Sequence, residues 1–147
     1  MAQQDDACTL LDEDHNQVAR LLEQYKAAHD KPRKQVLAQQ IFHELAVHMA
    51  LEEEIFYPAF IRATREGEQV QDAEREHRDL RELMAKYEHS HGHDKVMLEI
   101  EDAVLHHVND EREKMFPEAR KAQGLDLARL ARQMLERKAE LQAEQAA

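Results

Sequence analysis

Along most of the chain, apolar residues return at alternating spacings of three and four, the period of a helix that turns one face toward a core. Leu11, His15, Val18, Leu22 and Tyr25 mark one such stripe, and Ile41, Leu45, His48, Glu52 and Ile55 a second. Val70, Ala73, His77, Leu80, Met84 and Tyr87 form the third; Val96, Ile100, Val104, His107, Glu111 and Met115 form the fourth. Pro32, Gly67, Gly92 and Gly124 punctuate this pattern, which predicts helices near residues 7–29, 33–64, 68–90, 94–121 and 126–145. Asp6 and Asp126 stand where N-caps belong, Leu125 where a staple residue belongs, and Pro32 where a first-turn proline is tolerated. Pro58 and Pro117 fall inside the second and fourth segments, where each removes a hydrogen bond and is expected to kink or end its helix.

Four such helices joined by short loops predict an all-α, up-down four-helix bundle, in which metal and cofactor sites are built from side chains on facing helices. The fifth segment is apolar at Leu127, Leu130, Met134 and Leu135 but sets no His or Glu among those positions. It is expected to pack outside the bundle as an additional C-terminal helix. With no linker or low-complexity tract, residues 1–147 read as one domain, the bundle over about 7–121 and the extra helix over about 126–145.

Composition narrows the function classes. A formal net charge of −11 repels phosphate backbones and anionic headgroups, and 5% aromatic residues leave few stacking platforms, so neither nucleic acid nor membrane is an expected partner. The start, MAQQDDACTL, is acidic where a secretory signal is basic and then apolar, and the single Cys8 fits a reducing compartment; both predict a cytoplasmic protein. No nucleophile elbow, glycine-rich phosphate loop or cysteine cluster is present to support hydrolysis, nucleotide chemistry or an iron–sulfur cluster.

Ten histidines are the unusual feature, and every one of the four stripes carries one. One buried imidazole satisfies itself easily. Four of them with Glu52 and Glu111 are another matter, because each unpaired buried polar group costs roughly 1–3 kcal/mol against a total stability of about 5–15. His48-x-x-x-Glu52 and His107-x-x-x-Glu111 each place an imidazole and a carboxylate one turn apart on one face, where both can converge on a cation. The pair is duplicated with its surroundings: HMALEEEIFYP and HVNDEREKMFP run in step from His to Pro. A ferritin-like carboxylate site would need two Glu-x-x-His motifs on different helices; Glu74-x-x-His77 supplies one, and Glu88-x-x-His91 lies at a helix end.

These residues resemble the hemerythrin-like, or HHE cation-binding, domain family, a four-helix bundle that holds a pair of non-haem irons. The resemblance rests on DEDHNQVARLLEQY around His15, on the two duplicated motifs, on EREHRDL around His77, and on the closing LDLARLARQMLERKAEL. It implies that His15, His48, Glu52, His77, His107 and Glu111 ligate two iron ions (Fe2+/Fe3+), with Glu52 and Glu111 as carboxylate bridges and an oxo or hydroxo group between the metals. It also implies a small diatomic or peroxide ligand, and hence either a protein that binds or senses O2, NO or peroxide, or a redox enzyme that turns over peroxide or NO. The oxygen-carrying members have two histidines one turn apart on the third helix, where this chain has Ala73 before His77; Glu74 is the first candidate to fill in. His106 is placed about 100° around the helix from His107, and the tract YEHSHGHDK reads as an exposed loop with at most loose metal affinity.

Overall fold

In the computed structural model, which describes residues 6–146, the chain is helical throughout, with no strand among the described residues. The acidic start at residues 1–5 lies outside them. Helix α1 spans Ala7–Ala27, capped by Asp6, whose carboxylate accepts from the Thr9 N–H at 2.7 Å. Helix α2 spans Lys31–Leu51, with Asp30 as its cap and Pro32 in its first turn. Short connections lead to α4, Gly67–His89, and α5, Asp94–Asp110; α7, Leu127–Ala146, closes the chain behind its cap Asp126. Gly92 and Gly124 sit in the loops at φ 81° and 83°, a left-handed conformation in which a side chain would be strained.

Pro58 and Pro117 do not end their helices. Each follows a single π-helical segment, Glu52–Phe56 and Glu111–Met115, after which the helix runs on as α3, Tyr57–Thr64, and α6, Phe116–Lys121. In the first the Tyr57 N–H bonds the Glu52 carbonyl, and in the second the Phe116 N–H bonds that of Glu111. A proline ring in a regular α-helix collides with the carbonyl four residues back, and widening the turn relieves that collision while the ladder continues.

Helices α1, α2, α4 and α5 bury the four expected stripes, except that Met84 is half-buried and one register shifts. Ile55 is only half-buried, and Phe56 and Tyr57 take the core positions after Glu52, because the π segment inserts one extra residue into the turn. The apolar core is split in two. One cluster gathers Leu11, Leu51, Phe56, Phe60 and Phe116, the other Leu22, Ile41, Leu45, Leu80 and Ile100, and the polar residues of the stripes lie between them in sequence on all four helices.

The fifth helix is more than an outer layer. Helix α7 packs on α1, α2 and the first π segment; Leu130 and Met134 are buried in the first cluster, and Ala131 is buried as well. Leu135, expected on the packed face, is 48% exposed, and Ala131 takes its place. Among the described residues no helix is long and apolar enough to cross a membrane.

Candidate metal centre

Between the two apolar clusters the four helices bring together His15, His48, Glu52, His77, His107 and Glu111, all buried. Their ring nitrogens and carboxylate oxygens form two adjoining groups. In the first, His15 Nε2 lies 2.9 Å from Glu111 Oε1, and His48 Nε2 lies 3.2 Å from Glu52 Oε2. In the second, Glu52 Oε1 lies 2.9 Å from His77 Nε2 and 3.3 Å from His107 Nε2, while Glu111 Oε2 is 3.3 Å from His107 Nε2. Each carboxylate therefore sends one oxygen to each group. Two donors on one cation, with bonds of about 2.0–2.2 Å, stand roughly 3 Å apart, and these separations fit that arrangement.

The i, i+4 spacing explains the convergence of each His with its Glu, and the opposite helix pair supplies the rest. The far nitrogen of every ring is held by a carboxylate. His15 Nδ1 meets Asp12 at 3.0 Å, His48 Nδ1 meets Asp14 at 3.1 Å, His77 Nδ1 meets Glu53 at 2.7 Å and His107 Nδ1 meets Glu76 at 2.9 Å. Such a partner fixes both tautomer and ring orientation, so that all four Nε2 atoms face the centre. Three of the carboxylates are anchored in turn: Asp12 by Arg112 at 2.6 Å, Asp14 by Lys138 at 2.8 Å, and Glu53 by both terminal nitrogens of Arg81 at 2.9 Å. Lys138 comes from α7, which thereby reaches the centre through Asp14 and His48.

Charge is concentrated here. Burial by itself would lower the His48 imidazole, yet the charge of Glu52 and the hydrogen bond to Asp14 push it up to about 10. Against the same cost of burial, Glu111 raises His107, and hydrogen bonds to Glu52 and Glu53 raise His77. Burial disfavours the Glu52 anion, but the neighbouring imidazoles, His48 first, hold it well below the ordinary carboxylate range. The metal-free pit thus attracts protons to nitrogens that a cation would otherwise use.

Tyr57 is the residue that pattern reading missed. Its hydroxyl lies 3.0 Å from Glu52 Oε1, 2.9 Å from Glu111 Oε2 and 3.3 Å from His77 Nε2, with its single proton available to either carboxylate. In a regular α-helix five residues turn the chain through about 500°, which would set Tyr57 roughly 140° away from Glu52. The π segment, closing on the fifth residue, returns Tyr57 to the Glu52 face. The signal available in the sequence was the proline directly after it. Glu74, the candidate seventh ligand, is half-buried and belongs to neither group; Tyr57 fills the space beside His77 instead.

The remaining histidines take minor places. His93 caps α5, its ring accepting from the Lys95 N–H, and His89 bonds the Ala85 carbonyl; among the described residues His89, His91 and His93 form no three-donor group. His106, exposed, lies within ion-pair distance of Glu76 and Asp110.

Four buried donor atoms of the first group, His15 Nε2, His48 Nε2, Glu52 Oε2 and Glu111 Oε1, make no well-formed hydrogen bond and only face one another in pairs at 2.9 and 3.2 Å. Native interiors leave only a few such atoms scattered per hundred residues, and four gathered at one point fit a shared cation. No curated protein sequence matches the chain. A solved structure of a Hemerythrin HHE cation binding domain-containing protein from Mycobacterium kansasii superposes with a TM-score of 0.81 at 19% identity, covering 95% of this chain and 89% of that one. The family model for the Hemerythrin HHE cation binding domain matches residues 6–119, a span that contains all six converging residues. The chain is therefore a member of the hemerythrin HHE cation-binding family.

Proposed function

We propose that this chain holds two non-haem irons and binds or senses O2, NO or peroxide at them. The observation that carries the reading is the set of four buried donors without a well-formed hydrogen bond, together with the split of Glu52 and Glu111 between the two groups. His15 and His48 would hold one ion, His77 and His107 the other, with one oxygen of each glutamate on either side. Mixed imidazole and carboxylate donors suit iron, whereas magnesium and calcium prefer oxygen alone. When bound, the iron pair supplies a redox-active Lewis acid for a small oxidant or gas.

The chain's own residues determine what can happen there. The Nδ1 carboxylates keep each ring oriented, and the two apolar clusters exclude bulk water above and below. Tyr57 holds a proton that burial and the charges of Glu111 and Glu52 keep on its oxygen well beyond the ordinary phenol range. A protic group fixed beside the His77–His107 group favours a second reading, in which the protein turns over peroxide, because cleaving an O–O bond requires a proton for the departing oxygen.

Anaerobic loading with Fe(II) tests the metal: close to two irons per chain are expected, and His48→Ala or His107→Ala should fall well below that. One zinc per chain, unchanged by either substitution, would overturn the di-iron reading. Optical spectra after separate additions of O2, NO and H2O2 then divide the two functions, a lasting spectral change supporting binding and continuous H2O2 consumption supporting turnover.

A further inference from the structure

The duplicated motif gives the centre an approximate twofold relation, with α1 and α2 on one side and α4 and α5 on the other. Asp14, directly before His15 on α1, holds the Nδ1 of His48 on α2; Glu76, directly before His77 on α4, holds the Nδ1 of His107 on α5. Behind Asp14 stands the ammonium of Lys138, contributed by α7. Behind Glu76 there is no matching helix. Among the described residues no lysine or arginine pairs with Glu76, although Asp12, Asp14 and Glu53 each have one.

What faces the outer oxygen of Glu76 is a set of further donors. His106 Nε2 lies 3.1 Å from Glu76 Oε2 and 3.3 Å from Asp110 Oδ2, and the three side chains present one ligand atom each within 4.8 Å of one another. His106 and Asp110 are four residues apart on α5, the same i, i+4 geometry that joins each central His to its Glu. Glu76 and Asp110, though not His106, also line a cavity of about 70 Å³ together with Ala73, Glu111 and Met115. Lys114 lines that cavity as well but pairs with neither carboxylate among the described residues.

From this we infer that Glu76, His106 and Asp110 form a third cation site, outside the central pair, for a first-row divalent metal. An imidazole with two carboxylates is a donor set for Mn(II), Fe(II), Co(II) or Zn(II) in preference to magnesium or calcium. The cation would occupy the place that the Lys138 ammonium occupies on the other side of the pseudo-twofold. Three protein ligands on a half-exposed surface leave water positions open, so this ion binds more weakly than the central ones and exchanges with solvent. Through Glu76 it would stand one carboxylate away from His107.

Equilibrium dialysis of the full chain against Co(II), followed by elemental analysis, tests the site without reference to activity. The inference rests on the metal-binding reading only for the count of central ions, and the variants separate the two. Wild type is expected to approach three Co(II) per chain, while Asp110→Asn and His106→Gln each stop at two and keep the melting temperature of the parent. Saturation of wild type at two would overturn the third site, and so would three ions retained in both variants, which would place the extra ion elsewhere, for example on the His89–His93 loop. If the central reading fails instead, wild type would bind a single Co(II) that Asp110→Asn loses and His48→Ala keeps, an outcome that supports the outer site alone.

Discussion

Tyr57 and Phe116 occupy one and the same place in the duplicated motif, each five residues after its glutamate and each directly before a proline, yet only Tyr57 carries a hydroxyl into the centre. Their rings do equivalent packing. Tyr57 stacks on His77 with centroids 5.5 Å apart, and Phe116 stacks on His15 at 6.0 Å. The pseudo-twofold is thus broken by one oxygen atom, and the four donors without a well-formed hydrogen bond all lie on the side that lacks it.

Tyr57→Phe isolates that oxygen. The ring and its stacking remain while Glu52 and Glu111 lose a buried donor, a hydrogen bond to a charged group worth about 1.5–3 kcal/mol. Urea denaturation of the chelator-treated variant is expected to show a loss of that size, with iron loading still close to two per chain. Unchanged urea midpoints would mean that water replaces the phenol at no cost.

The pH dependence should differ in sign between metal-free and loaded protein. His48 is raised from 6.5 to about 10 in the fold, and His77 and His107 are raised too. A raised imidazole stabilises the native state fully below its unfolded value and loses that contribution as pH climbs through the folded one, so the metal-free protein should weaken between about pH 6.5 and 10. Metal requires the same nitrogens without protons, and its affinity rises across that window. Melting curves of the two forms are expected to separate as pH increases; a constant gap would show that protons and metal do not compete.

Lys138→Met tests the reach of the fifth helix. Removing the ammonium 2.8 Å from Asp14 leaves that carboxylate to hold His48 without a counter-charge. Loss of such outer support lowers metal affinity by roughly 10- to 100-fold. Competition with a chelator measures it, and wild-type affinity in the variant would show that Asp14 needs no anchor.

Ala73→His adds a nitrogen donor one turn before His77. Ala73 is 4% exposed within the apolar cluster of Phe56, Tyr57 and Met115, so overpacking of roughly 1–3 kcal/mol is expected. The variant should load two irons and consume H2O2 more slowly in stopped-flow mixing. Wild-type rates in a folded, loaded variant would show that position 73 does not govern reactivity.

The stripes were readable because helical burial follows one period from end to end, and His15, His48, His77 and His107 all lie on it. Glu52 and Glu111 stood out only because their motif occurs twice. The register after Glu52 was not readable from that period, since a π segment breaks it, and with the register went Tyr57. Asp14, Glu53, Glu76 and Lys138 were hidden for another reason: in a chain with 31 acidic and 20 basic residues, nothing local distinguishes a carboxylate that orients an imidazole from one that faces water. The position of Lys138, 124 residues from Asp14, is a property of the assembled bundle.

Helix α7 makes the molecule lopsided. Against α1 and α2 it adds a second thickness of protein, a rod about 10–12 Å across, over one flank of the polar layer. On the opposite flank α4 and α5 carry no such added helix among the described residues, and a small cavity lined by Ala73, Glu76, Asp110 and Glu111 indents it. A solute nearing the polar layer therefore has less protein to cross on that flank, beside a cavity whose charged lining is four carboxylates and one lysine, a balance that disfavours anions.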